Sequence, residues 1–288
     1  MTYEEARKEA EQILKGAEVP DAALDAWYLL EYAIRKIEKK ETGRTWYLMN
    51  RKESILPGTL LYYQELVSRR KQRIPLQHLT GEQEFYGYPF YVNEHVLIPR
   101  QDTEVLVEEA LKRKKEGMKV LDLCTGSGCL AIMLADQFEN ATVDAVELSP
   151  AALGIAQTNI SRYGMKDRIR LHHADLYDGI PDKRYQLIVT NPPYVNQSSM
   201  DNLPAEYLHE PQMALAGGFD GMDIVRRIVG TAGERLTDDG LLIVEIGNEA
   251  ENAIAAFPEL ELTWLSTSGG DDRVFLLTAE QLKGLKKA

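Results

Sequence analysis

A dense apolar run ends at two consecutive prolines in Tyr185-Gln186-Leu187-Ile188-Val189-Thr190-Asn191-Pro192-Pro193-Tyr194. β-branched and aliphatic residues at this density predict a buried strand. The prolines end the strand, because neither has an N–H to donate to a sheet ladder. A residue before proline is restricted to extended backbone, so Asn191 is predicted to lie at the strand's carboxyl end. Ligands bind at that edge of open α/β sheets.

The residues around the prolines offer a small pocket lined by hydrogen-bond acceptors. The side-chain oxygen of Asn191 and the backbone carbonyl of Pro192 can both accept, and Tyr194 adds a flat ring. Such a pocket suits a planar –NH2 group. We therefore take Asn191, Pro192 and Tyr194 as candidate catalytic residues, and these three with Pro193 as the candidate substrate site. For the motif alone, an ordinary Asn-Pro turn is the alternative.

Strand-like runs and helical patterns alternate from residue 119 onward. The runs cover 119–124, 141–148, 169–175, 185–191, 240–247, 260–267 and 273–279. This alternation predicts a mostly parallel α/β sheet. The last two runs have no helix between them and are joined by Ser268-Gly269-Gly270-Asp271-Asp272, so they are expected to form an antiparallel pair at one end of the sheet.

The first predicted strand runs into a glycine-containing turn, which consists of Cys124, Thr125, Gly126, Ser127 and Gly128. Glycine lets a backbone turn sharply and approach a ligand closely. Ala131 stands where the dinucleotide-binding pattern has its third glycine, and alanine is tolerated at that place. The turn is therefore a candidate cofactor loop.

Acidic residues follow the next two strands. Glu147 ends the second strand, where an acid can hold both hydroxyls of a ribose. Asp175 ends the third, where it can accept from an adenine amino group, with Leu176 against the ring. NAD and S-adenosylmethionine both present such a ribose. The glycine turn, Glu147, Asp175, Leu176 and Asn191 form the predicted cofactor-binding set.

The chain before the sheet divides into two parts. Residues 1–75 are predicted to form a helical substrate-recognition domain, whose first helix begins with a capping box of Thr2 and Glu5. Aromatic runs in 76–100 predict a linker with a β-hairpin. The predicted catalytic domain covers 101–288 and opens with a helix capped by Thr103 or Asp102.

Charge and composition narrow the class of partner. The net charge is −12, and residues 1–75 carry 14 basic against 12 acidic side chains, while the rest carries 19 against 33. An acidic catalytic part is a poor match for a phosphate backbone and a better match for a basic protein. The chain has two cysteines, no apolar run of membrane-spanning length and no metal-ligand spacing. These features predict a cytoplasmic protein without a metal. We expect it to be a monomer.

The ordered motifs resemble those of the bacterial peptide chain release factor glutamine methyltransferases, which are class I S-adenosylmethionine-dependent enzymes of the Asn-Pro-Pro-Tyr type. Besides the motifs above, the resemblance rests on Glu84-Phe85-Tyr86-Gly87, Leu97-Ile98-Pro99-Arg100, Asp122-Leu123, Glu210-Pro211, Ala214-Leu215, Gly217-Gly218, Asp220-Gly221, Glu245-Ile246-Gly247 and Asp272-Arg273-Val274. It implies a Rossmann-like, seven-stranded domain behind a small helical domain. It also implies S-adenosylmethionine as cofactor and methylation of the glutamine in the Gly-Gly-Gln motif of release factors. The chain departs from the family at Cys124, usually glycine, and at Gln101, usually proline.

Three other functions are weighed against this one. A nucleic-acid amino methyltransferase would use the same pocket for adenine or guanine, but the acidic catalytic part speaks against it. A nicotinamide oxidoreductase would leave Asn-Pro-Pro-Tyr without a role. A binding module without activity is disfavoured by the complete set of polar residues at the strand ends.

Overall fold

The computed structural model describes residues 1–266 and 270–283 and divides into two compact units. The first comprises residues 1–82 and the short segment 205–209. The second comprises residues 83–204 and 210–288. The expected linker residues Ser268 and Gly269 lie outside the described residues.

The first unit is helical, as expected. Its helices are α1 (Tyr3–Gly16), α2 (Ala22–Glu38), α3 (Arg44–Asn50), α4 (Pro57–Lys71) and α5 (Leu76–Thr80). The predicted capping box is present, because Thr2 accepts from the Glu5 N–H and the Glu5 side chain accepts from the Thr2 N–H. The two short helices, α3 and α5, carry no pattern long enough to predict. Tyr28 is exposed, because it lies on the outer side of α2.

An ion-pair network ties segment 205–209 into the first unit. The Arg70 side chain is buried and donates to Asp25 at 2.7 Å and to Glu206 at 3.0 Å. Arg73 adds two bonds to the Glu206 carboxylate, at 2.7 and 2.6 Å. Burial opposes ionisation of Glu206, but the hydrogen bonds from Arg73 and Arg70 outweigh it and lower its pKa to about 2.

The predicted hairpin forms from β1 (Glu82–Phe85) and β2 (Tyr88–Tyr91). Phe85 and Phe90 lie fully buried in the core of the second unit. The remaining strands are β3 (Lys119–Leu123), β4 (Thr142–Glu147), β5 (Ile169–His173), β6 (Tyr185–Thr190), β7 (Leu236–Glu245), β8 (Thr263–Trp264) and β9 (Val274–Thr278). The remaining α-helices are α6 (Glu104–Leu111), α7 (Cys129–Gln137), α8 (Pro150–Arg162), α9 (Gln197–Met200), α10 (Asp223–Arg235), α11 (Ala250–Ala256) and α12 (Ala279–Lys283).

The second unit is a Rossmann-like domain around a seven-stranded sheet of order β5-β4-β3-β6-β7-β9-β8. Strands β3 to β7 pair in parallel, and β9 runs antiparallel to both β7 and β8, as the missing helix predicted. Helices cover both faces and bury two separate apolar clusters. The chain order reverses between β3 and β6, so their carboxyl ends form the switch point at which open α/β sheets bind ligands.

Among the described residues, no helix is long and apolar enough to cross a membrane.

Candidate active site

A cavity of about 290 Å³ opens at the carboxyl ends of the parallel strands. Of the predicted site residues, its lining includes Cys124, Gly126, Glu147, Asp175, Leu176, Asn191 and Pro193. The structure thus brings residues from four strand ends to one place. Five predicted site residues do not line the cavity, although each lies within two positions of one that does: Thr125, Ser127, Gly128, Pro192 and Tyr194.

Cys124 adopts a backbone conformation that favours glycine. Its φ angle is +60°, in the left-handed region that residues with a Cβ rarely occupy. This explains why glycine is usual at the position in the family that the sequence resembles. The cysteine is accommodated here at some cost in backbone strain, directly at the cavity wall.

Contacts with Asp122, Asn159 and helix α8 hold the rest of the glycine turn in place. The Thr125 hydroxyl donates to the buried Asp122 carboxylate at 2.5 Å. Burial raises the pKa of Asp122 to about 7. Gly128 has a φ of +81°, and a Cβ there would lie 3.4 Å from Ala156 of α8. The Ser127 carbonyl accepts from the buried Asn159 at 2.9 Å.

The Glu147 carboxylate is held rigidly at the cavity. Its Oε2 accepts from the Gly126 N–H at 2.9 Å, and its Oε1 accepts from the Ser149 N–H at 2.8 Å. A carboxylate has about four lone-pair sites, so two acceptor positions remain. These can take the two hydroxyls of a ribose.

Asp175 and Leu176 form the next part of the wall. Asp175 Oδ2 forms an ion pair with Arg227 at 2.9 Å, which leaves the other oxygen of the carboxylate as an acceptor. Leu176 is buried with a φ of +54°, a second strained residue at the same edge. Its side chain supplies apolar surface beside the acid.

The Asn191 side-chain amide has a defined orientation. Its Nδ2 donates to the Thr103 hydroxyl oxygen at 2.9 Å. Neither Asn191 Oδ1 nor the Pro192 carbonyl accepts a hydrogen bond from any residue that the structure describes. Two acceptors of neighbouring residues are therefore available to one –NH2 group.

Thr103 is not the helix cap that its position predicts. It lies in a 3-10 turn, Gln101–Thr103, with φ −68°, and neither it nor Asp102 makes a capping bond. Its hydroxyl oxygen accepts from Asn191 instead, and Asp102 pairs with Arg273 at 2.6 Å. A cap and a buried polar contact use the same residue types, so the sequence pattern cannot separate them.

Three glycines enclose Tyr194. A Cβ on Gly247 would lie 2.6 Å from Tyr194 Cε2, and one on Gly217 would lie 2.7 Å from Tyr194 Cα. A Cβ on Gly221 would collide with the Tyr194 carbonyl oxygen. The Tyr194 hydroxyl donates to Glu245 Oε1 at 3.3 Å. Gly247 and the bond to Glu245 therefore place the ring, while Gly217 and Gly221 lie against the Tyr194 backbone.

Glu245 is a buried acid at the end of β7, beside Asn191 at the end of β6. Burial raises its pKa to about 7, while the hydroxyls of Thr103 and Tyr194 stabilise its charged form. Its Oε2 has no partner at hydrogen-bond geometry in residues 1–266 and 270–283. Sequence reasoning gave Glu245 no role, although a carboxylate directly after an apolar strand was the available signal.

The segment after Tyr194 contains short elements rather than a long irregular loop. The Val195 N–H donates to the Leu215 carbonyl, and the Gly217 N–H donates to the Val195 carbonyl. Helix α9 and two 3-10 turns lie between residues 195 and 217. Glu210 is a buried acid that accepts from the Ile98 N–H at 2.8 Å and pairs with Arg100. These contacts hold residues 210–217 against the cavity wall.

Two protein families match the chain. The Methyltransferase small domain matches residues 101–218, and the PrmC N-terminal domain matches residues 5–81.

Curated relatives agree with these matches over most of the chain. The ribosomal protein uL3 glutamine methyltransferase of Burkholderia pseudomallei is 52% identical over 74% of this chain and 73% of its own length. The protein of the same name from Bordetella pertussis is 46% identical over 79% of this chain and 78% of its own length. The chain belongs to the family of these glutamine methyltransferases. It is a class I methyltransferase, and its cofactor is S-adenosylmethionine, as the family resemblance implied.

A solved structure supports the fold alone. The hMettl16 catalytic domain, in complex with a MAT2A 3′UTR hairpin, superposes with a TM-score of 0.54 at 15% identity, over 75% of this chain and 81% of that one. The relatives are named for uL3, so the release-factor substrate stays a prediction.

Proposed function

We propose that this methyltransferase transfers the methyl group of S-adenosylmethionine to the side-chain amide nitrogen of a glutamine in a protein of the translation machinery. The observation that carries the proposal is the orientation of Asn191. Its –NH2 group is engaged by Thr103, so its Oδ1 faces away from that bond and can accept. With the Pro192 carbonyl, it offers two acceptors to the two N–H groups of a primary amide.

The residues around the cavity fit the cofactor. Glu147 keeps two acceptor positions for the ribose hydroxyls while two backbone N–H groups hold its carboxylate in place. Asp175 offers one carboxylate oxygen to the adenine amino group, and Leu176 packs against the ring. Gly126 and Gly128 let the turn pass close to the bound molecule. Cys124, Thr125 and Ser127 complete the turn.

The bound cofactor supplies a methyl group on a positively charged sulfur, which is already activated for transfer. The chain's own residues must position the acceptor, because an amide nitrogen is a weak nucleophile with a delocalised lone pair. Asn191 Oδ1 and the Pro192 carbonyl orient the nitrogen, and they stabilise the positive charge that develops on it. The Tyr194 ring and Pro193 bound the flat amide. As the new N–C bond forms, the C–S bond breaks with its electron pair left on sulfur, and the nitrogen then loses a proton to water.

Ribosomal protein uL3 is the first candidate substrate. Relatives that are 46 to 52% identical over about three quarters of this chain carry that activity in their names. A protein that packs against ribosomal RNA must present cationic surface. The excess of acidic residues outside residues 1–75 suits such a partner.

A release factor is the second candidate, with the glutamine of its Gly-Gly-Gln motif as acceptor. Two observations favour it: the match of residues 5–81 to the PrmC N-terminal domain, and the ordered motifs described above. The departures at Cys124 and Gln101 weigh against it. In either case we infer that the helical domain contacts the protein substrate away from the reacting glutamine.

The test is methyl transfer from labelled S-adenosylmethionine to purified uL3 and to a purified release factor, side by side, with site mapping by mass spectrometry. We expect monomethylation of one glutamine in uL3 and a much slower reaction with the release factor. The reverse preference would select the second candidate. Asn191→Ala, whose turnover we expect to be roughly 10²–10³-fold lower, serves as the low-activity control. Label in RNA or DNA, but in neither protein, would replace glutamine by a base amino group and overturn the proposal.

A further inference from the structure

One buried carboxylate contacts the Tyr194 side chain directly and is linked to the Asn191 side chain through Thr103. Glu245 accepts from the Tyr194 hydroxyl at 3.3 Å and interacts with the Thr103 hydroxyl. Thr103 in turn accepts from Asn191 Nδ2 at 2.9 Å. Thr103 is 3% exposed and Glu245 is 2% exposed, so bulk water does not compete for these contacts.

The proton of the Thr103 hydroxyl determines which way the Asn191 amide points. A hydroxyl has one proton and two lone pairs. If that proton goes to Glu245, Thr103 has only lone pairs left for Asn191, and the Asn191 –NH2 must face it. If the proton went to Asn191, the amide would turn over, and its –NH2 would face the substrate. A second donor would then meet the substrate's own –NH2.

We propose that Glu245 and Thr103 are positioning residues, which hold the Asn191 carbonyl oxygen toward the glutamine amide by directing the proton of the Thr103 hydroxyl away from Asn191. This inference rests on the proposed function, because it assigns a cause to the acceptor arrangement that the glutamine requires. Leaving a buried carboxylate oxygen without a donor is costly, so Glu245 favours the proton arrangement that the site needs. The same carboxylate anchors the Tyr194 hydroxyl, so it fixes both side chains.

The open hydrogen-bond position on Glu245 supports this role. Glu245 Oε2 lacks a partner at normal hydrogen-bond geometry within the described chain, and the Tyr194 bond is long. Hydrogen bonds of an active site often shorten only when the substrate is in place. Binding of the glutamine at Asn191 and Tyr194 would shorten the Tyr194 bond to Glu245 and bring the Thr103 hydroxyl into bonding range of Oε2.

The chain contains a chemically matched control in the first unit. Glu38 there accepts from the Thr59 hydroxyl at 2.9 Å and from the Tyr3 hydroxyl at 3.0 Å, and Thr59 is fully buried. A threonine, a tyrosine and a glutamate thus form the same kind of cluster without a neighbouring Asn-Pro-Pro-Tyr motif. Thr59→Val removes the same groups as Thr103→Val and serves as the structural control.

The experiment measures kcat and KM with purified uL3 and the S-adenosylmethionine affinity by calorimetry. We expect Thr103→Val and Glu245→Gln to lower kcat about ten- to hundredfold, a range that fits misplacement of a reacting group. Cofactor affinity should stay within about twofold. Thr103→Ser, which keeps the hydroxyl, should return kcat to within about threefold, and Thr59→Val should leave kcat unchanged.

A double-mutant cycle separates positioning from general stabilisation. If Thr103 acts through Asn191, Thr103→Val should add no further loss in an Asn191→Ala background. Additive losses, or wild-type kcat in both Thr103→Val and Glu245→Gln, would overturn the inference while the proposed function stands. If the wild-type enzyme transfers methyl groups to an acceptor other than glutamine, the proposed function fails first, and the inference fails with it.

Discussion

Gly247→Ala tests whether the placement of the Tyr194 ring controls turnover. An added Cβ would lie 2.6 Å from Tyr194 Cε2, whereas ordinary contact begins at 3.4 Å, so the ring must move by about 0.8 Å. Gly247 also has a φ of +54°, and a residue with a Cβ loses roughly 1–2 kcal/mol there. A 1 Å misplacement in an active site can cost about 10²-fold in rate.

We therefore expect kcat to fall roughly 10- to 100-fold in Gly247→Ala, with S-adenosylmethionine affinity unchanged, because Gly247 does not line the cavity. The melting temperature should fall by about 2–8 °C. Steady-state kinetics with uL3, calorimetry and thermal unfolding check these values. Gly230→Ala in α10 is the matched control: a Cβ there meets no atom within 4 Å, and the helix gains about 0.5–1 kcal/mol. Reduced stability with wild-type kcat would refute the reasoning about Tyr194.

The other predictions concern two residues that line the cavity, Asn191 and Glu147, and the ion pairs of Glu206 in the first unit. Asn191→Ala removes one acceptor of the amide, so turnover should fall roughly 10²–10³-fold with little loss of cofactor affinity, and single-turnover kinetics measure this. Glu147→Ala should weaken S-adenosylmethionine binding by about 1.5–3 kcal/mol in calorimetry; unchanged affinity would place the ribose elsewhere. The pKa of Glu206 is lowered from 4.5 to about 2, so its ionised form stabilises the first unit fully above pH 4.5, and this contribution disappears as the pH falls toward 2. Circular dichroism across that window should show the first unit losing stability, and Arg73→Gln should reduce the pH dependence.

The sheet and the residues that line the cavity were predictable because they depend on local pattern. Apolar runs separated by helical patterns specify parallel strands, and the residue that ends each run must then lie at one edge. Cys124, Glu147, Asp175 and Asn191 follow from that rule alone. The antiparallel strand β9 follows from the missing helix before it.

The supporting layer was not predictable, because it depends on which side chains meet across the fold. Thr103 has the sequence context of a helix cap, and only tertiary packing shows that its hydroxyl contacts Asn191 instead. Segment 205–209 has no local signal that assigns it to the first unit, since its ion pairs join residues more than 130 positions apart. Gly247 reads as an ordinary turn glycine until the Tyr194 ring is seen against it.

Charge asymmetry leads to the last prediction, which concerns how the protein substrate reaches the site. Outside residues 1–75 the chain carries 33 acidic against 19 basic residues, while residues 1–75 are nearly balanced. Complementary charge on two proteins raises their association rate more than their affinity. Salt screens this attraction, with a Debye length of ~8–10 Å near physiological ionic strength. When the salt concentration is raised from about 50 to about 500 mM, we expect kcat/KM for intact uL3 to fall several-fold while kcat stays nearly constant.

A short neutral peptide around the methylated glutamine isolates the chemistry from this steering. It lacks both the cationic surface and the contacts that we assign to the helical domain, so it should be a much poorer substrate whose kcat/KM hardly changes with salt. Initial rates at low substrate concentration compare the two directly. If peptide and protein respond equally to salt, the effect acts on the enzyme itself. The acidic surface would then have no part in capturing the substrate, and the acceptor pocket at Asn191 would be unaffected.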